Sequence, residues 1–146
     1  MITHQQERLA DIRWEVEPSL LLHLEETTGA PPDIDWGTYA RIEQMGALHI
    51  TTARKNGALV GYAAYFVSPN LHRRSLVVAE SDMLWLAPEH RSGDTCTHLL
   101  QSAESSLKSL GVSKIVNKVQ GLQETDAVFI QLGYEFVERS YAKRVA

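Results

Sequence analysis

Residues 76–104, LVVAESDMLWLAPEHRSGDTCTHLLQSAE, decide the fold. Leu76 to Leu86 is apolar and rich in Val, Leu and Trp, the composition of a buried strand. Glu80 and Asp82 interrupt it, and Pro88 stops it, because proline has no N–H to give a sheet. Arg91-Ser92-Gly93-Asp94-Thr95 is a short polar loop. From about Thr95 the apolar residues fall at Leu99, Leu100, Ala103, Leu107 and Leu110, a helical stripe that Gly111 ends. The unit is strand, tight loop, helix. The first turn of such a helix has N–H groups without intrahelical partners and a dipole that favours an anion. A strand that feeds it makes a seat for phosphate.

Upstream, Met1 to Glu7 reads as a short polar strand, and Leu9 to Thr28 has helical spacing at Leu9, Ile12, Val16, Leu20, Leu21 and Leu24. Pro18 is expected to kink or divide that helix. Gly29-Ala30-Pro31-Pro32-Asp33 breaks the chain, and Trp36 to Met45 forms a second helix with Asp35 as N-cap. Leu48 to Arg54 and Leu59 to Val67 are β-rich runs joined across Asn56-Gly57, a hairpin signal. Ser68 to Ser75 is a second turn, which carries the basic tip His72-Arg73-Arg74. Downstream, Lys114 to Val119 reads as a strand, Glu124 to Leu132 as a short helix, and Tyr134 to Val145 as a final strand.

Composition sets the limits. The 146 residues fit one domain, 1–146, with 44% hydrophobic and 22% charged residues, ordinary for a soluble globular chain. No apolar run reaches the roughly 18 residues of a membrane helix, and the N-terminus lacks a secretory profile, so the expected location is cytoplasmic, away from membranes. One cysteine leaves no internal disulfide framework, and no Cys/His spacing suggests a metal. A net charge of −4 argues against indiscriminate nucleic-acid binding and leaves only local basic patches for that role.

Leu84-Trp85-Leu86-Ala87-Pro88-Glu89-His90-Arg91 resembles the L-x-V-x-P-x-x-R strand end of the GNAT superfamily of acetyl-CoA-dependent N-acyltransferases. The loop that follows departs from the family's R/Q-x-x-G-x-G/A. Gly93 comes one position early, and Asp94 and Cys96 replace small residues. Leu59-Val60-Gly61-Tyr62-Ala63 resembles the family's preceding strand, and Leu132-Gly133-Tyr134 its L-G-F ending. The element order β-α-α-β-β-β-α-β-α-β is also similar, which implies an α/β (α+β) fold with a mixed central sheet and helices on both faces. A narrower likeness, to short GNAT-like proteins of tailed phages, rests on Pro69-Asn70-Leu71-His72-Arg73-Arg74-Ser75 and on Tyr141-Ala142-Lys143-Arg144. The family usually ends in two strands. With one here, an open edge would favour a homodimer.

The resemblance implies an N-acyltransferase that moves an acetyl group, or another acyl group, from CoA to an amine by direct attack. The backbone of Leu84, Trp85 and Leu86 would pair with pantetheine amides, and Arg91, Ser92, Gly93, Asp94, Thr95 and Cys96 would hold the pyrophosphate. Asp94 works against this: a carboxylate about 4 Å from a phosphate charge costs about 4 kcal/mol at an effective dielectric of 20. Its other reading is a helix-capping acid turned outward. The acceptor amine must be neutral, which at pH 7 costs roughly 4–5 kcal/mol for a lysine-like amine, and a carboxylate base is the usual remedy. Glu80 and Asp82 share one strand face and are both candidates. The family's thiolate-protonating tyrosine falls at Phe129, also in the cofactor region, and its nearby asparagine at Leu122 or Gln123. Tyr141 is the candidate substitute acid, its other reading being a packed tyrosine with a bonded hydroxyl. Acceptors open to this reading are a small molecule, a protein amine, or an amine on a nucleotide or RNA. The alternative class is a non-catalytic binding module of the same fold.

Overall fold

A computed structural model describes residues 1–119 and 125–146. In chain order it has β1 (Ile2–Gln6), α1 (Leu9–Thr28), α2 (Trp36–Gln44), β2 (Leu48–Lys55), β3 (Ala58–Asn70) and β4 (Arg73–Leu86). A 3-10 turn (Pro88–His90), α3 (Thr95–Ser109), β5 (Lys114–Val116) and α4 (Thr125–Gln131) follow. The five strands lie in sequence order, antiparallel except for the parallel pair β4–β5.

Helices cover both faces, which is why residues 49–53 of β2 and 60–65 of β3 are buried without alternation. On one face Leu9, Ile12, Val16 and Leu20 of α1 pack on Ile50, Tyr62 and Ala64, with Trp36 and Tyr39 of α2 beside them. On the other, Leu99, Leu100, Ala103 and Leu107 of α3 and Phe129 of α4 pack on Ala53, Ala63, Tyr65 and Ala79. Pro18 does not divide α1. It is exposed, so the carbonyl left without its i+4 donor, that of the 73% exposed Trp14, faces solvent. Arg8 supplies no side-chain cap to α1. Glu43 of α2 does so instead, accepting from Leu9 N at 2.5 Å and Ala10 N at 3.0 Å.

The β2–β3 hairpin turns on Asn56 and Gly57, both with positive φ (51° and 82°), as the Asn-Gly pair predicts. The next turn is tighter than expected: β3 runs to Asn70 and β4 begins at Arg73, with Asn70 Oδ1 accepting from His72 N and Arg73 N. Near the far end of β4, Gly61 lies opposite Leu86. A Cβ on Gly61 would stand 2.5 Å from Leu86 Cδ2 and 2.9 Å from the Trp85 carbonyl oxygen. The leucine can rotate and the carbonyl cannot. Gly61→Ala is therefore expected to cost about 2 kcal/mol through overpacking. That is a fall in Tm of roughly 4–8 °C for a chain of this size. An unchanged thermal melt would show that β3 and β4 are not held this close.

Two expectations need correction. β5 ends at Val116, not Val119. The closing strand predicted over Tyr134 to Val145 does not form: among the described residues, 134–146 pair with no strand, and every residue from 135 on is exposed.

Candidate active site

A register shift in the middle of β4 builds the site. Ala64 pairs with Met83 and Tyr65 with Ser81, so Asp82 is an extra residue, a β-bulge. Its consequence is a change of phase. Beyond it Met83 and Trp85 join the α1/α2 cluster, while Leu84 and Leu86 turn into the α3 cluster. Glu80 lies opposite Phe66, whose ring stacks on Tyr39 of α2 with centroids 6.1 Å apart. Residues directly opposite share a face. Glu80 and Asp82 therefore both look toward α2, as the sequence suggests.

At the same point the sheet opens. β5 pairs with β4 only at Val78, Ala79 and Glu80. The next contact is made by a side chain, Lys118 N donating to Ser81 Oγ at 2.8 Å. The β3 side of β4 stays bonded through Leu86 and on to Ala87, whose N–H donates to the Val60 carbonyl. Among the described residues, the last residues of β4 thus have a strand on one edge only.

The two carboxylates have different surroundings. Glu80 is half exposed and ion-paired with Lys118 at 2.9 Å. Asp82 is partly buried, and its Oδ2 accepts the Tyr39 hydroxyl at 2.6 Å. Burial raises the Asp82 pKa above the ordinary aspartate range, and the Tyr39 hydrogen bond pulls back against it. Burial, then the bond to Asp82, pushes the Tyr39 phenol up, so it stays a donor. Both side chains line a cavity of about 20 Å³, room for about one water, together with Trp36, Tyr62 and Met83. The Tyr62 hydroxyl is buried there without a hydrogen-bond partner, and burial lifts its pKa to about 12. Nearby Ser19 spends its own proton on the Val16 carbonyl at 2.8 Å.

Beyond β4, Arg91 reaches back so that its Nε donates to the Leu86 carbonyl at 2.9 Å, with Glu26 of α1 at 3.5 Å. Ser92, Gly93 and Asp94 are exposed, and Gly93 takes the left-handed conformation (φ 84°) that lets the chain enter α3. Asp94 occupies the N-cap position but makes no capping bond. Its carboxylate turns to His98, 3.7 Å away. The first-turn N–H groups of α3 are left free of a side-chain cap. Thr95 is partly buried, and Cys96 is 7% exposed in the α3 cluster, where burial raises its pKa and keeps it a thiol.

Other predicted residues fall away from this centre. Phe129 is core, edge-on to Tyr134 at 5.5 Å. Tyr141, expected on a closing strand, is 86% exposed in a segment with no ladder, so the structure does not bring it to the site. Leu122 and Gln123 lie outside the described residues. The sequence reading missed Ser81 and Lys118, which bracket the opening, and Asn117 just beyond β5. Asn117 Oδ1 accepts the Tyr65 hydroxyl at 2.7 Å, and its Nδ2 is buried without a partner. The only signal for Asn117 and Lys118 was polar residues interrupting Lys114 to Val119, and for Ser81 its place between the two acids of β4.

A mixed sheet that parts beside a bulged central strand, with a loop and helix N-terminus beyond it, is the arrangement that the resemblance to the GNAT superfamily implies. The model of the acetyltransferase (GNAT) family matches residues 7–134, and the chain belongs to that family. No curated protein matches it. Among solved structures it is similar to a ribosomal-protein-alanine N-acetyltransferase from Brucella melitensis biovar Abortus 2308, with 19% identity, 100% of both chains covered and TM-score 0.74. It is also similar to aminoglycoside acetyltransferase HMB0005 from an uncultured soil metagenomic sample, with 17% identity, 100% of this chain and 99% of that one covered, and TM-score 0.77. A third is a predicted acetyltransferase from Clostridium acetobutylicum, solved with acetyl-CoA, with 17% identity, 99% and 96% covered, and TM-score 0.72. At these identities the likeness speaks for the fold.

Proposed function

We propose that this chain acetylates an amine by direct attack of the amine on acetyl-CoA, with Asp82 as the proton acceptor. One observation carries the reading: the sheet parts immediately past Glu80, beside a bulged carboxylate that burial has made more basic. A base of raised pKa takes a proton more readily at neutral pH than an ordinary aspartate. Asp82 acts directly or through a water in the small cavity, where such a water would also satisfy the Tyr62 hydroxyl. Tyr39 fixes the carboxylate and favours its ionised form against the effect of burial. Glu80, tied to Lys118, has an electrostatic role at the rim.

The residues present fit the donor. The one-sided edge of Leu84, Trp85 and Leu86 offers main-chain groups to amides, and the uncapped first turn of α3 offers N–H groups to a pyrophosphate. Arg91 braces the loop against the strand end. When bound, acetyl-CoA supplies an activated acyl group on a thiol leaving group of pKa near 8.5, which departs with little help from an acid. That suits a chain with Phe129 where the family keeps a tyrosine.

Calorimetry tests the donor site. Acetyl-CoA is expected to bind at micromolar affinity. Asp94→Gly is expected to tighten it about threefold to tenfold, because an exposed carboxylate repels phosphate only through screened charge. Absence of heat at millimolar acetyl-CoA would end the donor assignment. The non-catalytic reading, favoured by Phe129 in the place of the family's tyrosine and by the departing loop at Gly93, Asp94 and Cys96, predicts binding with no thiol release across a panel of amines.

A further inference from the structure

Asn117 follows Val116, the last residue of β5 to pair with β4, and precedes Lys118, whose N–H is tied to Ser81 Oγ. It therefore stands where the sheet parts. Its Oδ1 accepts the hydroxyl of Tyr65, a β3 residue that lies opposite Ser81 and reaches β5 from beneath β4. Burial raises the Tyr65 pKa, so the phenol stays a donor and its partner must be the amide oxygen. That bond fixes which way the amide faces. The other end, Nδ2, is buried and has no hydrogen-bond partner among the described residues. Tyr134, close by, spends its own proton on Glu104 at 2.9 Å. A buried donor left without an acceptor costs about 1–3 kcal/mol, so its presence beside the opening calls for a reason. Tyr65 belongs to the α3 cluster, whereas Asp82 looks toward α2 and Tyr39. The amide and the carboxylate thus flank the opening from opposite faces of the sheet.

We propose that Asn117 Nδ2 donates a hydrogen bond to the sulfur that leaves acetyl-CoA, with Tyr65 as the positioning residue that aims it. The inference rests on the transfer reading above. An amine deprotonated by Asp82 reaches the carbonyl carbon from the α2 side, so sulfur departs toward the other face. As the C–N bond forms, the amine's proton passes to Asp82. The C–S bond breaks with its electron pair on sulfur, and the amide N–H holds the thiolate. Asn117 gives up no proton, and the thiolate takes one from water after release. A fixed donor aimed at charge that develops only as the bond breaks favours the transition state over the bound thioester.

Calorimetry with CoA and acetyl-CoA tests this without turnover. CoA carries a thiol that titrates near pH 8.5, and acetyl-CoA, which has none, is the reference. A donor at the sulfur lowers the bound thiol's pKa. Between about pH 6.5 and about pH 9.5 the wild type is therefore expected to gain about fivefold to tenfold in affinity for CoA relative to acetyl-CoA. Asn117→Asp keeps an acceptor for Tyr65 but removes the donor, and is expected to lose or reverse the gain. Tyr65→Phe keeps the amide but frees it to turn, and is expected to reduce the gain. Should either fail to fold, the Asn117→Leu/Tyr65→Phe double variant replaces both partners by apolar groups and is expected to show no gain. A flat ratio in the wild type, or a gain that survives in Asn117→Asp or the double variant, would overturn the proposal while acetyl-CoA still bound. No heat with either ligand would remove the donor site itself, and this proposal with it.

Discussion

Asp82→Asn is expected to lower kcat/KM for acetyl transfer at least about 100-fold, the usual contribution of a positioned base. Glu80→Gln should leave it within about threefold. Thiol release from acetyl-CoA with a panel of amines measures both. The asymmetry comes from environment, since both carboxylates look toward α2. Glu80 is half in water and already paired with Lys118, whereas Asp82 sits against Tyr39 in a mostly apolar wall. Loss of fold would not explain the Asp82 result. Its folded-state pKa is raised, so the ionised form costs stability as pH rises through the raised value, and a neutral isostere removes that cost. The pH profile adds an independent readout. The acid limb should report Asp82 above the ordinary aspartate range. Tyr39→Phe removes a donor that favours the carboxylate, so the limb should move to higher pH. A limb that moves down, or activity unchanged in Asp82→Asn, would take the base away from this residue.

How much of this was legible follows from what each feature depends on. The end of α1 at Gly29, the Asp35 cap and the Asn56-Gly57 turn depend on residues within a few positions of one another, and each appears where the sequence puts it. The closing strand does not, because Tyr134 to Val145 supplies a strand's composition but a strand also needs a partner edge. The bulge at Asp82 is a register event between β3 and β4, with no glycine to mark it. Period-two spacing paired Glu80 with Asp82 correctly and could not tell them apart. What separates them, Lys118 on one and Tyr39 on the other, lies 38 and 43 residues away along the chain.

Arg54→Met is expected to destabilise the chain by about 3–5 kcal/mol, although Arg54 stands far from the proposed chemistry. Arg54 joins three elements. It bonds Glu7, just after β1, through Nε at 2.8 Å, and Glu15 of α1 at 2.8 Å through each terminal nitrogen, and it also reaches the Gly57 carbonyl at 2.7 Å. Thr52 adds a further bond to Glu7. The side chains are only 13%, 17% and 18% exposed for Arg54, Glu7 and Glu15. Removing the cation leaves two desolvated carboxylates facing each other, and that is where the cost arises. Glu7→Gln and Glu15→Gln added to Arg54→Met should therefore restore most of the lost stability. The pH dependence has a definite sign. Burial works to raise the Glu7 pKa, but the bonds from Arg54, Thr52 and Gln5 leave it lowered, and the Arg54 bonds lower that of Glu15. Their contribution is complete above about pH 4.5 and is lost as pH falls through the depressed values. The stability gap between wild type and Arg54→Met should accordingly narrow on acidification. A triple variant no more stable than the single one, or a gap that widens in acid, would mean that the guanidinium holds β1, α1 and β2 by packing and not by charge.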